Sequence, residues 1–284
     1  MTLVTVSTVK GAPGGTTVAL LLGRSFADAA GQGRTALLAE CDISGGDLAP
    51  TLGLPSVPGM ASLALAGRHG LTVDLLLAHT QFQPSRPGLR FLLGVAGPEQ
   101  GAALSWIWRD LGHLLTDPSL VVIADLGRCG VDGRHDELWQ AAVTNLLVTT
   151  DGVASLLHTK AAVESAQNAG RALAVIVTGA RRRRLSQIAD VTKAEVLGAV
   201  RYDPAAVLSL LGRGGAFPRF RVGETQARSE ALRADVDAIA RRLADRVGAG
   251  APTMRAVAAG IRARTADSDR TVISRLRRRA VILG

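Results

Sequence analysis

Short apolar runs that end in a polar or charged residue recur along the chain, and stretches of helical spacing separate them. Leu3 to Val9, Thr35 to Cys41, Leu89 to Gly94, Leu120 to Asp125, Asn145 to Thr150, Ala172 to Thr178 and Glu195 to Arg201 have the length and near-continuous apolarity of strands buried on both faces. Between them, Thr16 to Ala30, Gly152 to Ala169 and Glu224 to Val247 read as helices, the last with Leu232, Val236, Ile239, Leu243 and Val247 on one stripe. Residues 53 to 88 are rich in Gly, Pro and Ala and read as a loop-rich crossing, with a short helix near Met60 to Ala66 and a second segment from Leu71 to His79. Trp106, Trp108, Leu111 and Leu115 recur at helical spacing and read as core and interface positions. This alternation predicts an α/β fold: a three-layer, mostly parallel twisted sheet of about seven strands with helices on both faces.

The first strand and first helix are joined by Lys10-Gly11-Ala12-Pro13-Gly14-Gly15-Thr16-Thr17. A glycine-rich turn at this place lets backbone close around an anion, and the helix that follows presents unpaired N–H groups and a partial positive charge. The general phosphate-loop template has a lysine directly before the hydroxyl residue, and Gly15 stands there instead. A dinucleotide-binding turn is a poorer match, because Gly11-x-x-Gly14-Gly15 does not fit Gly-x-Gly-x-x-Gly. A tight strand-to-helix turn with no ligand is the plain structural alternative. Composition bears on the choice: only Lys10, Lys160 and Lys193 are lysines among 33 basic residues, so a compact ammonium at position 10 stands out against an arginine background.

Two further strands end in acid. Glu40-Cys41-Asp42 leads into Asp47-Leu48, and Leu120 to Ala124 ends at Asp125. Taken alone, the first of these acidic ends reads more simply as a cap for the next helix. The three motifs together resemble the ParA/MinD family of variant phosphate-loop ATPases, whose loop is usually Lys-Gly-Gly-x-Gly-Lys-Thr-Thr. The resemblance implies that ATP and Mg²⁺ are bound by Lys10, Gly11, Gly14, Gly15, Thr16 and Thr17. It makes Lys10 the signature lysine, reaching its own phosphates or those of a partner subunit, and Thr16 and Asp125 the magnesium residues. Asp42 would sit near the attacking water, and the turn at Asp203 and Pro204 beside the adenine. Loss of the second lysine at Gly15 is similar to the CpaE/TadZ, pilus-positioning branch, and implies an ATPase that is slow at most. Leu126-Gly127-Arg128-Cys129-Gly130 replaces the family's more usual Asp-x-Pro-x-Gly switch.

Charge divides the chain in two. The net charge is +9, but residues 255 to 284 hold eight arginines against Asp267 and Asp269. A nucleotide-binding domain over 1–248 and a basic tail over 249–284 are therefore expected. On a helix, Ile273 and Leu276 share a narrow apolar face while Arg275, Arg277, Arg278 and Arg279 occupy the rest. This tail is expected to hold an anionic membrane surface, as the MinD resemblance implies, or DNA phosphates; packing on a partner and a solvated end are the other readings. No apolar run approaches the ~18 residues of a membrane span, and the N-terminus lacks a basic segment ahead of its apolar run. A cytoplasmic protein, peripheral at the inner face of the membrane or on the nucleoid, is expected. Cys41 and Cys129 fit neither a disulfide framework nor a zinc spacing and read as small buried residues. The resemblance implies a nucleotide-dependent homodimer with a protein cargo or activator, acting in spatial positioning or chromosome partitioning. A non-hydrolysing scaffold of the same fold is the alternative.

Overall fold

The computed structural model describes residues 3–10, 13–30, 33–83, 86–129, 135–180, 184–211 and 222–248. The basic tail, Gly11, and Arg181 to Arg183 lie outside the described residues. In chain order the elements are β1 (Leu3–Thr8), α1 (Gly15–Ala27), β2 (Thr35–Glu40), α2 (Leu48–Leu52), α3 (Met60–Ala66), α4 (Val73–Ala78), β3 (Gln81–Gln83), β4 (Arg86–Leu92), α5 (Pro98–Ala103), α6 (Trp108–Leu114) and β5 (Leu120–Arg128). They continue as α7 (Asp136–Ala141), β6 (Thr144–Thr150), α8 (Val153–Asn168), β7 (Leu173–Thr178), α9 (Leu185–Thr192), β8 (Glu195–Val200), α10 (Pro204–Leu210) and α11 (Val222–Gly248).

The strands form one sheet in the order β3-β4-β2-β5-β1-β6-β7-β8, parallel throughout except for β3 at the edge. All seven strands expected from the apolar runs are present. The eighth, β3, is a three-residue antiparallel addition that no apolar run announces. Gln83 places it: the buried amide donates to the Leu211 carbonyl at 2.9 Å and accepts from the buried Arg24 guanidinium at 2.7 Å.

Alternate residues of each strand feed opposite layers. Val4 and Val6 of β1 pack with α1, α10 and α11, where Leu232, Val236, Ile239 and Leu243 are buried as their spacing requires. Leu3, Leu37 and Val122 face the other way, against Met60, Leu63, Trp108 and Leu111. Trp106 is the exposed member of its group, while Trp108, Leu111 and Leu115 are core. From β1 the chain leaves by α1 on one face, and from the neighbouring β5 it leaves by α7 on the other. Connections that diverge in this way open a crevice at the carboxyl ends of the two strands, and the glycine-rich loop and Asp125 both fall there. No helix among the described residues is long and apolar enough to cross a membrane.

Candidate nucleotide site

The loop is set by its neighbours as much as by its own residues. Gly14 takes φ 99°, a left-handed value that favours glycine, and starts α1 with no side-chain cap on the first N–H groups. The Thr178 hydroxyl at the end of β7 approaches the Pro13 carbonyl at 3.0 Å and ties the loop down. Gly15 is the first helical residue and is not among the positive-φ glycines, so the conformational need for glycine lies at Gly14. What Gly15 does lack is room: a Cβ built there would lie 2.4 Å from Thr8 Cγ2. Lys10 is exposed, with φ 51°.

Three strands bring their carboxyl ends to this loop. In register, Glu40 of β2 sits beside Asp125 of β5, and Asp125 beside Val6 of β1. Asp125 is 1% exposed, and its Oδ1 accepts the Gly127 N–H at 3.0 Å. Its Oδ2 is buried and has no hydrogen-bond partner among the described residues. Burial pushes the Asp125 carboxyl above the usual carboxylate range; the Thr16 hydroxyl, close enough to favour the carboxylate but not in hydrogen-bonding geometry to Oδ2, and the Gly127 N–H oppose that, while Asp42 and Asp47 add to it. Asp42 accepts the Ser44 N–H at 2.7 Å and turns the chain away from β2. Gly127 lies against it at φ 62°, where a Cβ would fall 1.9 Å from Asp42 Oδ2.

These parts surround an open cleft of about 620 Å³. Gly14 to Thr17 form one wall, Asp42, Ser44 and Asp47 another, and Gly127 with Arg128 a third; Leu20, Val207 and Leu211 make an apolar end. A wall of uncapped helical N–H groups and hydroxyls facing carboxylates suits an anion that arrives with a cation. The buried, unpartnered Asp125 Oδ2 beside Thr16 is the atom such a cation would complete, and an oxygen donor set of this kind suits Mg²⁺. The apolar end suits a flat ring.

Of the residues singled out from sequence, Gly14, Gly15, Thr16, Thr17 and Asp42 line this cleft, and Asp125 lies beneath it. Lys10 does not line it. Asp203 and Pro204 also lie off it: the Asp203 carboxylate caps α10 through the Ala206 N–H at 3.0 Å and accepts a two-pronged ion pair from Arg228 at 2.7 and 2.8 Å. Burial opposes its charge, but those donors hold its carboxyl below the usual value. Val207 and Leu211, one and two turns further along, face the cleft instead. Cys41 is buried and burial pushes its thiol well up, as it does for the part-buried Cys129, so neither is a ready thiolate donor.

Three residues organise the site through backbone contacts that the sequence does not announce. Glu40 is 2% exposed and accepts the N–H groups of Asp47, Leu48 and Gly94 at 2.6, 2.8 and 2.8 Å, which pins the loop carrying Asp42 and Asp47. Burial raises its carboxyl and those three N–H groups counter the rise. Thr8 and Thr178 clamp the two sides of the glycine-rich turn. The only advance signal for Glu40 was an acid inside an otherwise apolar strand end.

Solved structures with this architecture are numerous, although no protein-family model and no curated protein matches the chain. A ParA family ATPase from Chlorobium tepidum TLS superposes with a TM-score of 0.63 at 19% identity, over 79% of this chain and 96% of that one. The fold is that of the ParA/MinD P-loop ATPases. A chain of the MinC:MinD cell division complex of Aquifex aeolicus gives 0.62 at 20% identity over 86% and 96%. The septum site-determining protein MinD of Pyrococcus horikoshii OT3, complexed with Mg-ADP, gives 0.57 at 17% over 86% and 96%. ParA/MinD structures thus match this chain over nearly their whole length.

Proposed function

We propose that this chain binds ATP and Mg²⁺ in the cleft at the ends of β1, β2 and β5, and that the bound nucleotide makes it a spatial-positioning or assembly switch. The observation that carries the reading is the buried, unpartnered Oδ2 of Asp125 beside Thr16, at the foot of an uncapped helix N-terminus. A ParA/MinD neighbour solved with Mg-ADP supports the choice of ligand. Thr16 and Asp125 would hold the metal, which when bound neutralises charge on the β- and γ-phosphate oxygens. The N–H groups of Gly14 to Thr17 would hold phosphate oxygens, and Gly11, outside the described residues, would continue that cradle. Leu20, Val207 and Leu211 would exclude water from one face of the base, with the Asp203-Pro204 turn fixing the start of α10 behind it. Asp42 would orient the attacking water.

Hydrolysis is slow or absent in this reading. Gly15 leaves the loop without the cation that stabilises developing charge, and Lys10 is exposed, placed to serve a partner's phosphates in a face-to-face homodimer. The residues 1–248 form the switch, and the tail 249–284 attaches it to an anionic membrane or to DNA through Ile273, Leu276 and the arginines Arg275, Arg277, Arg278 and Arg279. The altered loop fits the CpaE/TadZ-like branch, a cytoplasmic protein peripheral at its surface, with a protein cargo or activator as partner.

Calorimetry with ATP and ADP, with and without Mg²⁺, tests this. Metal-dependent binding of both is expected, with turnover near background. Absence of binding heat at millimolar ATP would leave a scaffold that keeps the ParA/MinD fold without its ligand.

A further inference from the structure

We infer that Arg128, at the end of β5, replaces the missing phosphate-loop lysine as the cation that faces the nucleotide's terminal phosphates. The inference rests on the nucleotide reading above and adds a cation for holding the nucleotide; with no lysine in the loop itself, turnover stays slow or absent.

The cleft as it stands is short of positive charge. Asp42 and Asp47 line it and Asp125 lies beneath, whereas Arg128 is the one Lys or Arg among the described lining residues. A triphosphate brought against these acids needs more than one divalent cation to offset its charge. Lys10 does not line the cleft. Arg128 is exposed, and no hydrogen bond or ion pair among the described residues engages its side chain. Its fork of N–H groups can take two phosphate oxygens at once.

The replacement is built into the backbone through Thr8. The Thr8 methyl lies where the Cβ of a residue at position 15 would be, at 2.4 Å, so the loop has no room for the root of a lysine. The same residue anchors the arginine. Thr8 pairs with Arg128 in the sheet register, its hydroxyl donates to the Gly127 carbonyl at 3.3 Å, and its carbonyl accepts the Cys129 N–H at 2.9 Å. Residues 127 to 129 are thereby fixed to the base of the loop, and Arg128 is presented from the strand next to the one that carries the glycines. One threonine closes the lysine's place and secures the substitute.

The test is a titration of Mg-ATP into the full-length protein and its variants, each checked for folding by its thermal melt. Arg128→Ala should weaken ATP binding by about tenfold or more, the scale of a charge-assisted hydrogen bond, and Arg128→Lys should recover part of the loss. Gly15→Lys in the Arg128→Ala background should restore little, because the Thr8 methyl blocks it. Thr8→Ser removes that methyl and keeps the hydroxyl, so Thr8→Ser/Gly15→Lys/Arg128→Ala should bind within about threefold of wild type. If wild type binds and Arg128→Ala binds equally well, the assignment of Arg128 is overturned and the nucleotide reading stands. Full rescue by Gly15→Lys alone would overturn the blocking role of Thr8. Wild-type protein that binds no Mg-ATP would overturn both the nucleotide reading and this one.

Discussion

Two neighbouring strands carry buried carboxylates side by side, and the protein treats them in opposite ways. Glu40, the last residue of β2, and Asp125, three residues before the end of β5, pair in register, both almost fully buried. Both are pushed up by burial. Glu40 is surrounded by three N–H donors from its own loop and from the end of β4, so its charge is spent on holding backbone. Asp125 receives one N–H on Oδ1, and Oδ2 has none. A buried polar atom without a partner costs about 1–3 kcal/mol, and such an atom in an otherwise well-paired site marks a place completed by something else. The first carboxylate is structural. The second is the one that the proposed metal would complete.

Removing each in turn should separate the roles. The largest effect is expected for Glu40→Ala, which strands three N–H groups at once and should lower unfolding free energy by about 3 kcal/mol, measured by urea titration without ligand. Gly127→Ala comes next. It forces a side chain into φ 62° against Asp42 Oδ2, at a cost of about 1–2 kcal/mol, and should displace Asp42 from the cleft. Loss of whatever ATP turnover the wild type has, with Mg-ATP affinity within about threefold, would be its signature. Asp125→Asn should do the reverse of Glu40→Ala: the ligand-free protein should gain about 1 kcal/mol, because an unpaired buried charge is gone.

The pH dependence sharpens the last point. A carboxyl whose value is raised on folding holds its proton more tightly in the folded protein than in the unfolded chain. The wild type therefore gains stability as pH falls through that raised value toward the unfolded value of about 3.9. The advantage of Asp125→Asn should be full near neutral pH and shrink on acidification through the same window. Other carboxylates cancel in the difference between the two proteins, so an advantage that stayed constant from neutral pH down to the unfolded value of about 3.9 would assign the raised value elsewhere.

The contrast also explains what sequence could and could not announce. Asp125 was legible because a clean apolar run ends on it, and the seven long strands were legible because strands buried on both faces are apolar throughout. Glu40 has the same local setting, but its partners at 47, 48 and 94 are brought to it by a loop and a neighbouring strand, and no local pattern encodes that. Edge strand β3 was hidden for a related reason. Gln81-Phe82-Gln83 is short and polar, and it is held by Arg24, Leu211 and a cation–π contact of Arg90 over Phe82 at 4.2 Å. Asp203 was singled out by its place in a turn, whereas its side chain is committed to Arg228, 25 residues later. The glycine-rich loop was legible as a loop, yet the obstacle to a lysine at position 15 comes from Thr8 on the strand before it.

The central claim, that Asp125 Oδ2 is reserved for the nucleotide's metal, is tested most directly by electron paramagnetic resonance of Mn²⁺ used in place of Mg²⁺. Titrated into wild-type protein with ATP, Mn²⁺ should give one tightly held, broadened signal per chain, and Asp125→Asn should leave only the signal of Mn-ATP free in solution. An Asp125→Asn protein that holds Mn²⁺ with the same stoichiometry and line shape as wild type would contradict the claim.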